Sequence, residues 1–174
     1  MHAEHKPRPG ANLKRSRILL CRQLPARAGF TLVEIVIVAA VIGLLAVLAI
    51  PAFVKARRET RVAEYLNSLR LTVDAFELYA MAHGAYPPDR LPGQVPNGMA
   101  EYLKRMDWTA PTPLGGRWDW DNTSVGITAG VTGIGAGLDM AGIQMVDEKI
   151  DDGNLLSGRF RRTGAGGYTY VIAD

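Results

Sequence analysis

The first clear pattern in the chain is an apolar run of 25 residues, 30–54, interrupted near its start by one carboxylate, Glu34. As a helix this run extends about 37 Å, enough to cross a hydrocarbon core of roughly 30 Å. Pro51 removes one helix hydrogen bond near the end of the run, and we expect a kink there. A carboxylate inside such a span costs about 2.5 kcal/mol or more, so Glu34 is predicted to have a function.

A second pattern continues the helix beyond the apolar run, through residues 55–83. Apolar residues recur there at alternating spacings of four and three, which is typical of one face of an amphipathic helix. The stripe consists of Val62, Leu66, Leu69, Val73, Phe76 and Ala80. His83 and Gly84 predict the end of the helix. An apolar face of this width requires a partner, which residues 84–174 must provide.

Residues 84–174 are predicted to form a loop-rich globular head. Sixteen of these 91 residues are glycine, which argues against a helical bundle. The segments RWDW, SVGITAGV and GYTYVIA are predicted as strands. Short helices are predicted near Gly98–Met106 and from a cap at Asp139 to about Ile150, with Gly153 just past the end. The predicted fold class is therefore α+β, with one long N-terminal helix packed on a small antiparallel sheet.

The charge of the chain is unevenly distributed. Residues 1–29 contain seven Lys and Arg against one Glu, a net charge of +6, whereas the remainder contains 13 basic and 16 acidic residues, a net charge of −3. The basic arm is interpreted as a leader that is removed, not as part of the fold. Its position before the apolar run predicts a cytoplasmic N-terminus, although further basic residues follow the run.

The residue types available after Phe30 do not favour catalysis. That part of the chain has one histidine, His83, and no cysteine, which excludes Cys–His nucleophiles and multi-histidine metal sites. Cys21 is the only cysteine of the chain, so no intrachain disulfide forms. Asp119 and Asp121 could be a pair of catalytic acids for sugar hydrolysis, but two solvated carboxylates on a strand explain them more simply. The protein is predicted not to be an enzyme.

Two groups in the head allow a binding role as well as a structural one. Trp118 and Trp120 fall on one face of a predicted strand, where they either pack in the core or form a stacking platform for a sugar or nucleic acid. The arginines of GRFRRTG surround a predicted turn, as a solvated loop or as a DNA contact. These arginines are Arg159, Arg161 and Arg162. Core packing and a solvated loop are the preferred interpretations, and no nucleic acid partner is expected.

The segment GFTLVEIVIVAAVIGLLAVLAIPAF closely resembles the N-terminus of type IV prepilins and of the pseudopilins of type II secretion. The matching positions are Gly29 before the cut, Phe30 as the first mature residue, Thr31-Leu32, Glu34, Gly43 in the apolar run and Pro51 near its end. The leader of 29 residues is long beside the shortest prepilin leaders. The absence of a C-terminal cysteine pair favours the pseudopilins over many pilins.

The resemblance implies a structural subunit of a type II secretion pseudopilus or a related type IV filament. A prepilin peptidase would cleave after Gly29 and methylate the amine of Phe30. The subunit would be a single-pass inner-membrane protein with a periplasmic head, and an assembly platform would transfer it to a filament of pilin-like subunits through Phe30 and Glu34. The alternatives are a type IV pilus or DNA-uptake pilin and a membrane-anchored binding module.

The segment DDGN contains ligand types that hard cations prefer, namely Asp151, Asp152 and Asn154. The major pseudopilins that the chain resembles often hold calcium in a C-terminal loop. The spacing does not fit an EF-hand, however, and a helix C-cap explains the glycine equally well. No cofactor and no firm metal site are predicted, with calcium at these residues as the alternative.

Overall fold

The structure is a computed structural model, which describes residues 29–164 and 166–174. In chain order, its helices and strands are α1 (Leu32–His83), β1 (Arg117–Asn122), β2 (Ala129–Ile134), α2 (Met140–Ile150), β3 (Phe160–Arg162) and β4 (Tyr168–Ala173). The chain divides into two units, one ending at Ile42 and the other extending from Gly43 to Asp174. A long helix packed on a small antiparallel sheet confirms the predicted α+β class.

The four strands form one antiparallel sheet in the order β1-β2-β4-β3. Strand β2 pairs with β1 and β4, with Val131 opposite Trp120 on one side and Tyr170 on the other. Strand β3 extends the sheet beyond β4, where Phe160 pairs with Tyr170. The polar face of the sheet contains a row of hydrogen bonds that links Asp121, Thr132 and Thr169 across three strands.

The core lies between the second half of α1 and the sheet, and aromatic rings are its largest side chains. Tyr65 stacks on Trp118 with ring centroids 4.8 Å apart, and Phe76 stacks on Trp120 at 3.7 Å. The Trp120 indole nitrogen donates to the Pro87 carbonyl at 2.9 Å. Hydrogen bonds of this kind allow large amphipathic rings to be buried. These rings therefore join the helix to the sheet through buried stacking contacts.

The predicted stripe on α1 does form this core. Val62, Leu66, Leu69 and Phe76 are buried. Val73 and Ala80, the other two members, are half-buried. The buried surface also includes residues that the stripe did not contain, namely Tyr65, Thr72 and Ala75. The face of the helix that meets the head is therefore wider than the four-three spacing indicated.

The predicted ends of both helices are confirmed. Gly84 follows α1 with a φ of +74° and donates its N–H to the Ala80 carbonyl at 2.8 Å. Asp139 caps α2 by accepting from the Gly142 N–H at 3.3 Å. Its carboxylate also accepts from Arg58 Nε at 3.0 Å, which ties the start of α2 to α1. Gly153 lies just beyond the end of α2, with a φ of +78°.

One predicted element is wrong, and one predicted strand begins later than expected. Residues 98–106 form successive turns instead of a short helix. Gly98 has a φ of +79°, which is outside the helical region. Only one N–H in this segment, that of Leu103, donates to a carbonyl four residues earlier, that of Met99. In SVGITAGV, Ser124–Thr128 is a loop, and strand β2 begins only at Ala129. Val125 has a φ of +44° there, which is incompatible with an extended strand.

Strand β3 was missed. The sequence predicted a turn around the arginines 159–162, but Phe160–Arg162 pairs with β4. Three residues are too few to show an alternating pattern of apolar and polar positions. Phe160 is fully buried, and Arg161 and Arg162 follow it in the pairing with β4.

Candidate functional site

The predicted cleavage site lies immediately before α1. Gly29 and Phe30 precede the helix and are exposed, and Phe30 retains 77% of its surface. A Cβ placed on Gly29 would meet none of the described residues within 4 Å. The described part of the fold therefore does not itself require glycine at position 29. The rest of the predicted leader, residues 1–28, lies outside the described residues.

The helix begins with a capping arrangement that the apolar pattern did not predict. The Glu34 N–H donates to Thr31 Oγ1 at 3.2 Å, and the Ile35 N–H donates to the Thr31 carbonyl at 3.3 Å. Thr31 is therefore the N-cap of α1. Thr31 and Glu34 have the spacing of a capping box, which is a recognised signal for the start of a helix. That spacing was readable in the sequence and would have placed the first turn correctly.

Glu34 lies in the first turn of α1, where the partial positive charge of the helix terminus favours a carboxylate. Its side chain makes no hydrogen bond or ion pair to any other described residue. The nearest apolar neighbours, Val33 and Ile35, are more than half exposed. An exposed acid among exposed apolar side chains can meet a group from outside the chain. The geometry thus leaves the Glu34 carboxylate available for an intermolecular contact.

The surface of α1 after Glu34 is apolar and uncovered. Within the described residues, α1 is the one helix long and apolar enough to cross a membrane, and none of its most apolar window is buried. A Cβ added at Gly43 would also meet nothing within 4 Å, so the helix surface there is open to close approach. An apolar surface of this extent marks contact with lipid or with another protein. Pro51 lies inside the helix, and the kink expected there stays a prediction.

The two tryptophans that could have formed a ligand-binding platform in the head are not on its surface. Trp118 and Trp120 are 2% and 1% exposed and pack against α1, which confirms the core interpretation.

Of the three arginines in GRFRRTG, Arg161 contacts Asp174 Oδ1 at 2.5 Å, and Arg159 lies over the Tyr170 ring at 5.7 Å. The arginines therefore belong to a short edge strand and its start, and not to an isolated loop.

Asp119 and Asp121 occupy the polar face of β1 with different environments. Asp121 is buried and accepts from Ser124 Oγ at 2.9 Å and from Thr132 Oγ1. Burial, and then the nearby carboxylates of Asp121 and Asp89, raise the pKa of Asp119 to about 7. Asp121 is engaged by its two hydroxyl donors. Asp121 therefore belongs to the hydrogen-bonding network of the sheet, whereas the Asp119 carboxylate accepts from the Trp120 N–H at 3.1 Å.

A cluster of three carboxylates lies at the end of α2. Oxygens of Asp147, Asp151 and Asp152 all fall within 4.8 Å of one another. Asn154, which the sequence indicated as a candidate ligand, uses its Oδ1 to accept from the Leu156 N–H at 3.2 Å. Asp147 was missed, because its burial depends on how α2 packs in the head. A spacing of four residues from Asp151 on a predicted helix was the available signal.

The comparison with protein-family models returns the prokaryotic N-terminal methylation motif, matched at residues 24–50. This motif is the prepilin-type cleavage and methylation signature of type IV pilins and pseudopilins. No curated protein and no solved structure matches the chain. The long apolar helix on a four-stranded sheet and the motif at the start of that helix together support a pilin-like precursor. The motif implies processing by a prepilin peptidase and assembly with other pilin subunits, and it fits anchoring in the inner membrane.

Proposed function

We propose that this protein is a structural subunit of a type II secretion pseudopilus or a closely related type IV filament. In this proposal a prepilin peptidase cleaves after Gly29 and methylates the new amine of Phe30. The precursor is a single-pass inner-membrane protein with a cytoplasmic N-terminus and a periplasmic head. An assembly platform in the inner membrane then transfers the mature subunit to the filament. The subunit itself has no catalytic role.

The observation that most favours this function is the methylation motif placed at the start of an uncovered apolar helix. The described residues at the cut, 29–31, are exposed and lie outside regular structure, so a peptidase can reach them. The following apolar residues are exposed from Leu32 to Val54, with Ala46 only partly covered. Such a surface is stable in a bilayer before assembly and among other apolar helices afterwards.

Glu34 has a defined role in this proposal, which is to set the axial register of the subunits. Cleavage gives Phe30 a protonatable amine close to the membrane depth of the Glu34 carboxylate. An unpaired charge of either sign is strongly unfavourable in an apolar filament core, and pairing relieves both. Apolar side chains tolerate many offsets between neighbouring helices, whereas an amine–carboxylate pair between subunits tolerates few.

Processing provides the direct test. The mature protein from the native host should give an N-terminal sequence beginning at Phe30, and mass spectrometry should find one methyl group on that residue. Gly29→Val should accumulate the precursor, because a peptidase that accepts glycine next to the cut leaves little room for a side chain. A Gly43→Val variant, altered inside the apolar run, is the matched control and should be processed normally. A mature chain that retains the leader would instead favour a membrane-anchored binding module.

A further inference from the structure

A group of basic residues follows the apolar run, and the proposed filament function gives it no role. Lys55, Arg57, Arg58 and Arg61 lie within about two turns of α1 after Val54. The positive-inside rule does not account for them, because it places basic residues beside the cytoplasmic N-terminus and not beyond the far end of the run. Their position directly after an apolar helix therefore requires a local explanation.

Two of these residues, Arg57 and Arg61, have no partner within the described part of the chain. They are one helical turn apart, so their side chains share one face of α1. Both are exposed, and neither forms an ion pair with another described residue. Arg58 beside them is engaged, since its Nε donates to Asp139 Oδ2 at 3.0 Å. Like charges one turn apart repel each other, and an anion bound between them would remove that repulsion.

The acidic residues nearby do not neutralise the pair. Glu59 follows Lys55 by four residues, on a different face of the helix from the two arginines. Glu64 follows Arg61 by three residues on the same side, but it forms no ion pair with any described residue. Residues 55–64 contain four Lys and Arg against two Glu, a net charge of +2. A surplus of positive charge therefore remains on this face.

A cleft lies beside these arginines, between α1 and the start of α2. Its volume is about 150 Å³, whereas one water molecule requires only about 10–15 Å³, so the cleft has room for a phosphate group. The lining residues are apolar on the side of the run and charged on the other side, and they are Phe53, Val54, Arg57, Arg58, Arg61 and Asp139. This arrangement suits a ligand in which an anionic group is attached to an apolar body.

The direction of the arginine side chains indicates where such a ligand lies. Helical side chains tilt toward the N-terminus of the helix, which here is toward the apolar run. The Arg57 guanidinium shows this tilt, because it lies 5.8 Å from the centroid of the Phe53 ring, one turn closer to the run. Arg57 and Arg61 follow Val54 by about 4.5 and 10.5 Å along the helix axis. The headgroup layer of a bilayer is about 5–7 Å deep, so both long side chains can reach it.

We propose that Arg57 and Arg61 bind the phosphate group of an anionic phospholipid at the membrane surface. Guanidinium groups bind phosphate oxygens through two parallel hydrogen bonds, and Phe53 and Val54 provide an apolar surface for the adjoining part of the lipid. The bound lipid fixes the depth at which α1 leaves the bilayer. This inference rests on membrane anchoring, which the filament proposal and its membrane-anchored alternative share, and it does not depend on filament assembly.

Native mass spectrometry of the full chain in detergent tests the lipid. The purified protein is mixed with dioleoyl phosphatidylglycerol or, separately, with dioleoyl phosphatidylcholine, which has the same acyl chains and phosphate but no net charge. We expect the chain to retain phosphatidylglycerol at least about 5-fold more tightly. An excess of inorganic phosphate should not displace the lipid. Equal retention of the two lipids, or displacement by inorganic phosphate, would overturn the proposal.

Matched double variants assign the lipid to the two arginines. Arg57→Ala/Arg61→Ala should weaken phosphatidylglycerol binding about 10-fold or more, because each basic residue near an anionic headgroup contributes roughly 5-fold. Arg70→Ala/Arg105→Ala removes the same charge at exposed positions farther from the apolar run and should bind as the wild type does. The basic leader is identical in all variants, so its own lipid contacts cancel in the comparison.

All four substituted arginines are exposed, so both double variants should keep the wild-type Tm. Wild-type phosphatidylglycerol binding by Arg57→Ala/Arg61→Ala would contradict the assignment. If that variant keeps its lipid but loses filament yield, the two arginines contact another subunit and not a phospholipid. A failure of leader cleavage or of assembly in the wild-type chain would count against the filament proposal alone, because lipid retention is measured without either step.

Discussion

Phe76 tests the packing between α1 and the head most sharply. The ring is fully buried, stacks on Trp120 at 3.7 Å and lies 5.6 Å from the Trp108 ring. Phe-to-Ala changes in cores cost about 3–5 kcal/mol, and a lost aromatic pair adds about 0.5–1.5 kcal/mol. Both indoles are anchored, Trp120 to the Pro87 carbonyl and Trp108 to the Gln94 carbonyl. The cavity therefore cannot close easily, and we expect Phe76→Ala to cost about 4–5 kcal/mol.

Urea unfolding of the full chain in detergent measures this loss. The three tryptophans of the chain are all buried in the head, so their fluorescence reports its unfolding. Leu78→Ala changes a residue of the same helix that is 57% exposed, and it should cost less than about 0.5 kcal/mol. A loss below about 1 kcal/mol for Phe76→Ala, or equal losses for the two variants, would refute the packing argument.

Three further predictions concern single side chains. Tyr65→Phe should raise the free energy of unfolding by about 1 kcal/mol, because the buried Tyr65 hydroxyl has no partner; destabilisation in urea would show that the hydroxyl is bonded after all. Asp119 has a folded-state pKa of about 7, above its ordinary value of 3.8, so wild-type stability should fall as the pH rises from 4 to 7. Asp119→Asn should remove most of that fall, which amounts to about 1–2 kcal/mol of unfolding free energy at pH 8. A pH profile of unfolding that is the same in the variant and the wild type would contradict the prediction. Arg58→Ala should cost about 1 kcal/mol in the same assay, since it removes the contact to the cap of α2, and no loss would mean that the contact is solvent-screened.

Both helices could be predicted from the sequence because their signals are local. The apolar run and the stripe gave the extent of α1, and Gly84 gave its end. The cap at Asp139 gave the start of α2. The Thr31–Glu34 spacing, which marks the first turn of α1, was equally local and was overlooked. Signals of this kind depend on residues within one or two turns of each other.

The rest of the head depends on contacts between distant residues. Strand β3 forms only because β4 lies beside it, and three residues contain no period of their own. Ser124–Thr128 has apolar residues in strand-like order, but positive φ angles at Val125 and Gly126 turn the chain there. Asp147 appears as an ordinary helix-surface acid in the sequence, since its burial follows from the packing of α2. The sequence therefore indicated Asp151 and Asp152 of the acidic cluster but not Asp147.

The most direct test of the filament proposal is the assembly of a Glu34→Ala variant. Sheared filaments are quantified beside a blot for the processed subunit, with Glu59→Ala as the matched control at an exposed acid of the same helix. We expect Glu34→Ala to insert and be cleaved normally but to lose most filaments, whereas Glu59→Ala assembles. Wild-type filament yield from fully processed Glu34→Ala would contradict the register that the proposal assigns to this carboxylate.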